Sequence, residues 1–311
     1  VGRCPRRGPH ADRGRPGRAG LTGAREGPGL LVATDLDGCL LDETSYSYDE
    51  ARPALAALAE RRIPLILASS KTRAEMEPLA RALGLASPLI VENGGALLVP
   101  EGHLPQPPRG AELQAGFWSI VLGARRPDLV RALAEVAHDL RIQIRSFASL
   151  GLAELTALTG LSAPAAHLAL QREYDEPFLL EDEAMGAAVA EAVRGQGLRV
   201  TRGGRFWHIT GDADKGRALR VLLGLYEAEG RRLSTVGLGD SANDLPLLQA
   251  VDRPIVVPRP EGQVDGELVS SLPGAERAPA PGPSGWNAAV LAVLDGRRLR
   301  GVATGHGSSR R

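Results

Sequence analysis

Two short acidic clusters, far apart in the chain, have residue types and spacing suited to chemistry. Asp35-Leu36-Asp37-Gly38 follows the apolar run Leu30-Leu31-Val32-Ala33. Gly239-Asp240-Ser241-Ala242-Asn243-Asp244 follows Ser234-Thr235-Val236-Gly237-Leu238. Each is a buried-strand pattern that ends in a turn and carboxylates. Ligands of parallel α/β sheets collect beyond the carboxyl ends of strands, so two such ends can share one site. Three or four carboxylates meeting there repel one another unless a cation sits among them. A hard divalent ion with oxygen ligands, Mg²⁺ first, answers that need. Asp35 and Asp37 are two apart, a period-two spacing that aims both to one side, and Gly38 lets the backbone turn. One carboxylate can attack phosphorus while its neighbour handles the leaving-group proton, which is covalent catalysis through an aspartyl phosphate followed by hydrolysis. The phosphoryl group in transfer needs a metal, an ammonium and hydroxyl or amide donors, and Asp240, Lys215 and Ser69 fit those needs. Asp244, with Asn243 beside it near a helix start, can orient Lys215 or a metal-bound water.

The lysines sharpen this reading. Lys71 and Lys215 are the only two, so 35 of the 37 basic residues are arginine. That bias fits a GC-rich genome, in which a surviving lysine is suspected of needing a compact ammonium rather than a planar fork. Lys71 follows the strand-then-turn pattern Ile63-Pro64-Leu65-Ile66-Leu67-Ala68-Ser69-Ser70. Lys215 precedes the helical pattern Ala218, Leu219, Leu222, Leu223. Both stand where phosphate could be held; two residual surface lysines are the plain alternative. Ser70 and Lys71 together offer an amide turn and an ammonium to one anion.

These residues require a scaffold of alternating strands and helices. Strand Leu30–Thr34, helix Asp49–Arg61, strand Leu65–Ala68, helix Arg73–Leu83 and strand Leu89–Val91 follow in turn. Repeated βα units with Gly-rich turns predict a doubly wound parallel α/β sheet, a Rossmann-like core. Near Pro105–Gly110 the composition shifts to Pro and Gly. The segment 109–199, with strands Phe117–Leu122, Ile142–Phe147 and His167–Arg172 among helices, reads as an inserted α+β cap. The core, 30–108, resumes over 200–296 with strand Arg205–Thr210, helix Lys215–Glu229, strand Ser234–Leu238 and strand Pro254–Val257. Residues 1–29 carry seven arginines against Asp12 and Glu26, with many Gly and Pro. Disorder, or a start codon called too far upstream, suits them better than a targeting peptide. Residues 297–311 read as a disordered tail.

At 311 residues the chain suits two domains or one core with a large insertion. A formal net charge of zero and 43% apolar residues give no reason to expect nucleic-acid or membrane partners. No apolar run approaches the roughly 18 residues of a membrane span. Cys4 and Cys39 are too few and too badly placed for a disulfide framework, which favours a reducing cytoplasm. Cys39 itself reads as a small buried hydrophobe. The sequence carries no signal of oligomeric state.

DLDG, then Ser after a second strand, then Lys before a helix, then GDSAND after another strand resembles the haloacid dehalogenase-like phosphohydrolase superfamily. Within it, Thr34–Asp42, Ser69–Glu75, Val91–Ala96, Arg172–Phe178, Arg202–His208 and Gly282–Asn287 are similar to the mannosyl-3-phosphoglycerate phosphatase family. The resemblance implies Asp35 as nucleophile, Asp37 as acid/base, and Mg²⁺ on Asp35, the Asp37 carbonyl and Asp240. It also implies a cap closing over a small sugar-phosphate substrate. Cys39 departs from the Thr common after DxDG. Mn²⁺ and Co²⁺ remain alternative metals. The implied substrate carries a carboxylate, which suits arginine's fork, so Arg172, Arg202 and Arg205 are candidate contacts. Tyr174 and Trp207 could stack on a sugar, with core packing as the alternative, and a structural role is expected of His208. Glucosyl-3-phosphoglycerate and sucrose phosphate stay open beside the mannosyl substrate, since one epimeric hydroxyl is a matter of a single hydrogen bond. A phospho-Asp signalling module is disfavoured by the inserted cap. An idle sugar-binding protein would not need the nucleophile.

Overall fold

The structure is a computed structural model and describes residues 29–302 apart from residue 204. The expected N-terminal extension and the last part of the expected tail lie outside the described residues. In chain order, β1 (Gly29–Thr34), α1 (Arg52–Glu60), β2 (Leu65–Ala68), α2 (Arg73–Ala82), β3 (Leu89–Val91) and β4 (Ala96–Pro100) open the fold. A hairpin, β5 (Glu112–Gln114) and β6 (Phe117–Val121), and α3 (Arg126–Leu140) follow. Next come β7 (Ile144–Ser146), α4 (Leu152–Thr159), α5 (Ala163–Ala169), β8 (Asp175–Leu180), α6 (Gly186–Arg194), β9 (Arg199–Gly203) and β10 (Phe206–Thr210). The chain closes with α7 (Lys215–Ala228), β11 (Leu233–Gly239), α8 (Leu245–Gln249), β12 (Arg253–Val256), α9 (Gly266–Ser271), β13 (Glu276–Arg277) and α10 (Gly282–Leu294).

Nine strands form the larger sheet in the order β13-β12-β11-β1-β2-β3-β4-β6-β5, parallel from β13 to β3 and antiparallel beyond. β1 and β2 are apolar on both faces because helices cover both. Val32, Leu65 and Leu67 pack with Leu58 of α1, Met76 of α2 and Trp286 of α10. Leu31, Ala33 and Ile66 pack with Leu219 and Leu222 of α7. The chain winds from β1 toward β2 and β3 on one side and reaches β12 and β13 on the other. The point where this order reverses lies between β1 and β11, where ligands of such sheets gather. The α/β core with a separate cap sheet matches the sequence reading.

The second sheet, β7-β8-β10-β9, is antiparallel, with α3 and α6 packed on one face through Leu133, Val136, Val189 and Val193. The two sheets are joined by two chain crossings that run side by side. At Gly211 a Cβ would sit 2.3 Å from the Ala124 nitrogen, so only glycine fits there.

Four expectations are corrected. The strand expected at 117–122 in the inserted unit forms at 117–121, where it pairs with β4 and extends the larger sheet. The strand expected at 205–210 in the core forms at 206–210 and pairs with β8 and β9. The crossings therefore fall at Gly123 and Gly211 rather than at 109 and 199. Strand alternation says which face is buried but not which distant partner accepts the hydrogen bonds. The segment read as a strand at 167–172 begins inside α5, whose start is set by the Ser162 hydroxyl accepting from the Ala165 amide and by Pro164 in the first turn. Residues 297–302, read as part of a disordered tail, are ordered. The Glu276 carboxylate accepts from Arg298 and the Leu299 amide, and the Val302 amide donates to the Ala275 carbonyl at 3.0 Å. That docking uses charge and backbone bonds, which leave no periodic signature.

Candidate active site

β1 and β11 are hydrogen-bonded neighbours in register, with Thr34 opposite Leu238. The two acidic clusters follow at once, so their meeting is a consequence of strand pairing. The Asp35 amide continues the ladder onto the Leu238 carbonyl at 2.9 Å. The N-terminal end of α7 comes in beside them. At Gly216 a Cβ would lie 2.0 Å from the Pro246 carbonyl oxygen, and this close approach of helices puts Lys215 between Asp35 and Asp244.

The Lys215 ammonium donates to Asp35 Oδ1 at 2.6 Å and to Asp244 Oδ1 at 2.7 Å, and its side chain is 2% exposed. Burial alone would lower its pKa, but the Asp244 and Asp35 charges outweigh that and hold it firmly cationic. The other Asp244 oxygen accepts from the Asp240 and Ser241 amides and the Ser241 hydroxyl. Asp244 thus fixes both the ammonium and the turn that carries Asp240. Asn243 donates to the Asn93 side chain at 2.8 Å at the edge of the cavity.

Among the described residues, Asp35, Asp240 and Asp244 form the one group of side chains that could hold a metal ion, with ligand oxygens within 4.8 Å of one another. Burial first, then the Asp244 carboxylate, push Asp35 well above the carboxylate range against the pull of Lys215. Burial and the Asp35 charge do the same to Asp240. A divalent cation with oxygen ligands would relieve this repulsion between buried carboxylates. Asp35 Oδ2 and the Asp240 carboxylate supply hard oxygen donors. The Asp37 side chain is not in this cluster. Its Oδ2 lies 2.9 Å from the Lys71 ammonium, and its buried Oδ1 has no hydrogen-bond partner among the described residues.

A cavity of about 770 Å³ opens over these groups, walled by the core below and the second sheet above. Ser70 and Lys71 line it. Ser69 lies just behind, buried, with its hydroxyl accepting the Lys71 amide at 3.2 Å. Arg172 lines the cavity where the second sheet meets the core, bonded to the Ser70 carbonyl at 3.1 Å and to Asp175 at 3.0 Å. Arg205 also lines the cavity and donates to the Leu158 carbonyl. Arg202 does not. It points out from β9, paired with Glu183 and stacked over the Trp207 ring. Tyr174 is buried, sharing a hydrogen bond with Ser119 at 3.2 Å, and Trp207 donates to Glu183, so neither is offered to a sugar. Cys39 is buried, and burial and the nearby Asp35 charge push its thiol pKa up.

Sequence reasoning passed over Tyr46, Arg259, Phe147 and Phe206 and gave His208 only a structural role. Tyr46 stands over Lys71 with its ring centroid 4.9 Å from the ammonium. Arg259 lies in the loop after β12 beside Asp240, and Phe147 and Phe206 supply apolar wall. His208 lines the cavity with Nδ1 2.8 Å from buried Asp175, a partner 33 positions earlier on the neighbouring strand. A polar residue alternating inward along β10 was the only available signal.

Residues 32–103 match the haloacid dehalogenase-like hydrolase family. The chain is 41% identical over 265 residues to a glucosyl-3-phosphoglycerate/mannosyl-3-phosphoglycerate phosphatase of Methanococcoides burtonii, covering 85% of this chain and 97% of that one. It is 36% identical over 271 residues to a protein of the same name from Persephonella marina, covering 86% and 97%. Among solved structures, the sucrose-phosphatase of Synechocystis shares the fold with a TM-score of 0.54 at 17% identity, over 86% of this chain and 98% of that one. Fold, site and sequence agree, and the chain belongs to the glucosyl-3-phosphoglycerate/mannosyl-3-phosphoglycerate phosphatase family of haloacid dehalogenase-like hydrolases.

Proposed function

We propose that the protein is a Mg²⁺-dependent phosphatase that hydrolyses mannosyl-3-phosphoglycerate and its glucosyl counterpart through an aspartyl phosphate, working in the cytoplasm. The observation that carries this reading is the division of labour on Asp35. One oxygen is committed to Lys215, and no described residue bonds the other, on a residue that lines the cavity together with Asp240.

Asp35 Oδ2 attacks phosphorus as the bond to the glycerate oxygen breaks, and Asp37 as general acid passes that oxygen the proton it needs. Asp37 then takes a proton from water, whose oxygen attacks phosphorus and releases Asp35 and inorganic phosphate. Lys215 holds Asp35 in place and, with the Ser69 hydroxyl, stabilises charge on the transferring oxygens. Asp35 and Asp240, with the Asp37 carbonyl, would hold the ion, which when bound neutralises phosphate charge. Lys71 and Ser70 present an ammonium and an amide turn to an anionic group, and Arg172 and Arg205 face the glycosylglycerate part. The names of both relatives carry both sugars. Among the described residues no helix is long and apolar enough to cross a membrane.

Phosphate release from mannosyl-3-phosphoglycerate, glucosyl-3-phosphoglycerate and sucrose 6-phosphate, with Mg²⁺ and with EDTA, tests the reading. Metal-dependent preference for the two phosphoglycerates is expected. Preference for sucrose 6-phosphate would overturn the substrate, and no metal-dependent release would overturn the reaction.

A further inference from the structure

The cap wall contains a polar unit that the phosphoryl chemistry does not use. His208 Nδ1 lies 2.8 Å from Asp175 Oδ2, and the Arg172 guanidinium lies 3.0 Å from the same oxygen. Asp175 is fully buried and does not line the cavity, whereas His208 and Arg172 do. The carboxylate therefore stands behind the two donors and fixes both. It occupies the Nδ1 edge of the ring, so Nε2 is the edge His208 has left for the cavity. Arg172 spends Nη1 on both the Ser70 carbonyl and Asp175, and among the described residues none accepts from its Nη2, on a side chain that lines the cavity. Burial would raise the Asp175 pKa, but the His208 and Arg172 charges hold it below the ordinary carboxylate value, so it stays an acceptor for both.

We propose that His208 Nε2 and the cavity-facing part of the Arg172 guanidinium, backed by Asp175, form a subsite for the substrate's carboxylate, separate from the phosphoryl pocket of Asp35 and Lys215. His208 is then a specificity-determining residue and Asp175 a positioning residue. This rests on the phosphoglycerate reading above. A carboxylate accepts two donors from adjacent directions, which a neutral hydroxymethyl group cannot match. The site would thus reject phosphomonoesters that lack the acid by leaving buried donors unmet.

The test compares 3-phosphoglycerate with glycerol 3-phosphate as competitive inhibitors, since they differ at the carboxylate and share the phosphate. The wild-type enzyme should bind 3-phosphoglycerate at least about tenfold more tightly. His208→Asn keeps an amide donor at the Nδ1 position and removes Nε2, so it should bring the ratio near one. His208→Gln restores a donor near Nε2 and should recover part of it. A role confined to holding Asp175 predicts the reverse order, with Asn tolerated and Gln not, and that order would overturn the proposal. So would a wild-type enzyme that does not discriminate the pair, even if it releases phosphate from mannosyl-3-phosphoglycerate. Failure of that release would instead count against the substrate reading.

Discussion

Lys215 and Asp244 meet 2.7 Å apart with both side chains closed off from solvent, and Asp244 spends its other oxygen on the turn that carries Asp240. The ammonium that steadies Asp35, the proposed nucleophile, and the turn that presents the candidate metal ligand are thus fixed by a single carboxylate.

Lys215 should not be replaceable. Lys215→Met leaves Asp244 and Asp35 buried without their cation, a loss of about 3–5 kcal/mol. Lys215→Arg keeps the charge but forces a planar fork into a packed site, costing about 1–3 kcal/mol. Its kcat should fall about a hundred- to a thousandfold. Urea unfolding and steady-state kinetics measure the two effects.

The carboxylate cluster should destabilise the metal-free protein. Asp240→Asn removes one of the repelling charges and should raise the metal-free melting temperature at pH 8, by about 2–4 °C for each kcal/mol relieved. It should also abolish Mg²⁺-dependent turnover. Mg²⁺ should raise the wild-type midpoint more at pH 8 than at pH 5, because at low pH it must displace protons. Differential scanning fluorimetry with Mg²⁺ and EDTA checks each point.

Glu92 links the core to the cap wall, accepting from the Tyr174 amide at 2.8 Å and the Glu173 amide at 2.9 Å. Burial, only partly offset by Arg172 and these amides, raises its pKa from 4.5 to about 7. Between those values the folded protein keeps a proton that the unfolded chain has released. Stability from this group is therefore complete below pH 4.5 and is lost as pH rises through 7, by up to about 3 kcal/mol. Asp35 and Asp240 contribute in the same direction in both proteins, so the difference between wild type and Glu92→Gln isolates Glu92. The variant should show the flatter stability profile from pH 4.5 to 7 in denaturant titrations.

Gly211 lies where the two crossings between the sheets touch. Gly211→Ala drives a methyl to 2.3 Å from the Ala124 backbone and should cost about 1–3 kcal/mol, with an altered KM as the wall shifts. Arg202→Ala, outside the cavity, should leave KM and kcat within about twofold, whereas Arg205→Ala, on its lining, should raise KM.

The site was legible where chemistry follows a strand. Asp35, Asp240 and Lys215 each stand at the end of an apolar run or the start of a helix, so the local pattern already places them at one end of the sheet. The assignment of the strands at 117–121 and 206–210 was not legible, because a strand's partner is chosen over long range. Arg202 and Arg205 look alike in sequence. A hairpin register that sets Arg202 against Trp207 on the outer side separates them. His208 looked structural because its partner, Asp175, lies on another strand.

The most direct test of the account is acid quench of the first turnover with substrate labelled in its phosphate. Wild-type protein should carry a base-labile, hydroxylamine-sensitive label that Asp35→Asn lacks, and the variant's turnover should fall beyond about 10⁴-fold. An unlabelled wild-type protein with rapid turnover, or Asp35→Asn turning over at near wild-type rates, would contradict it.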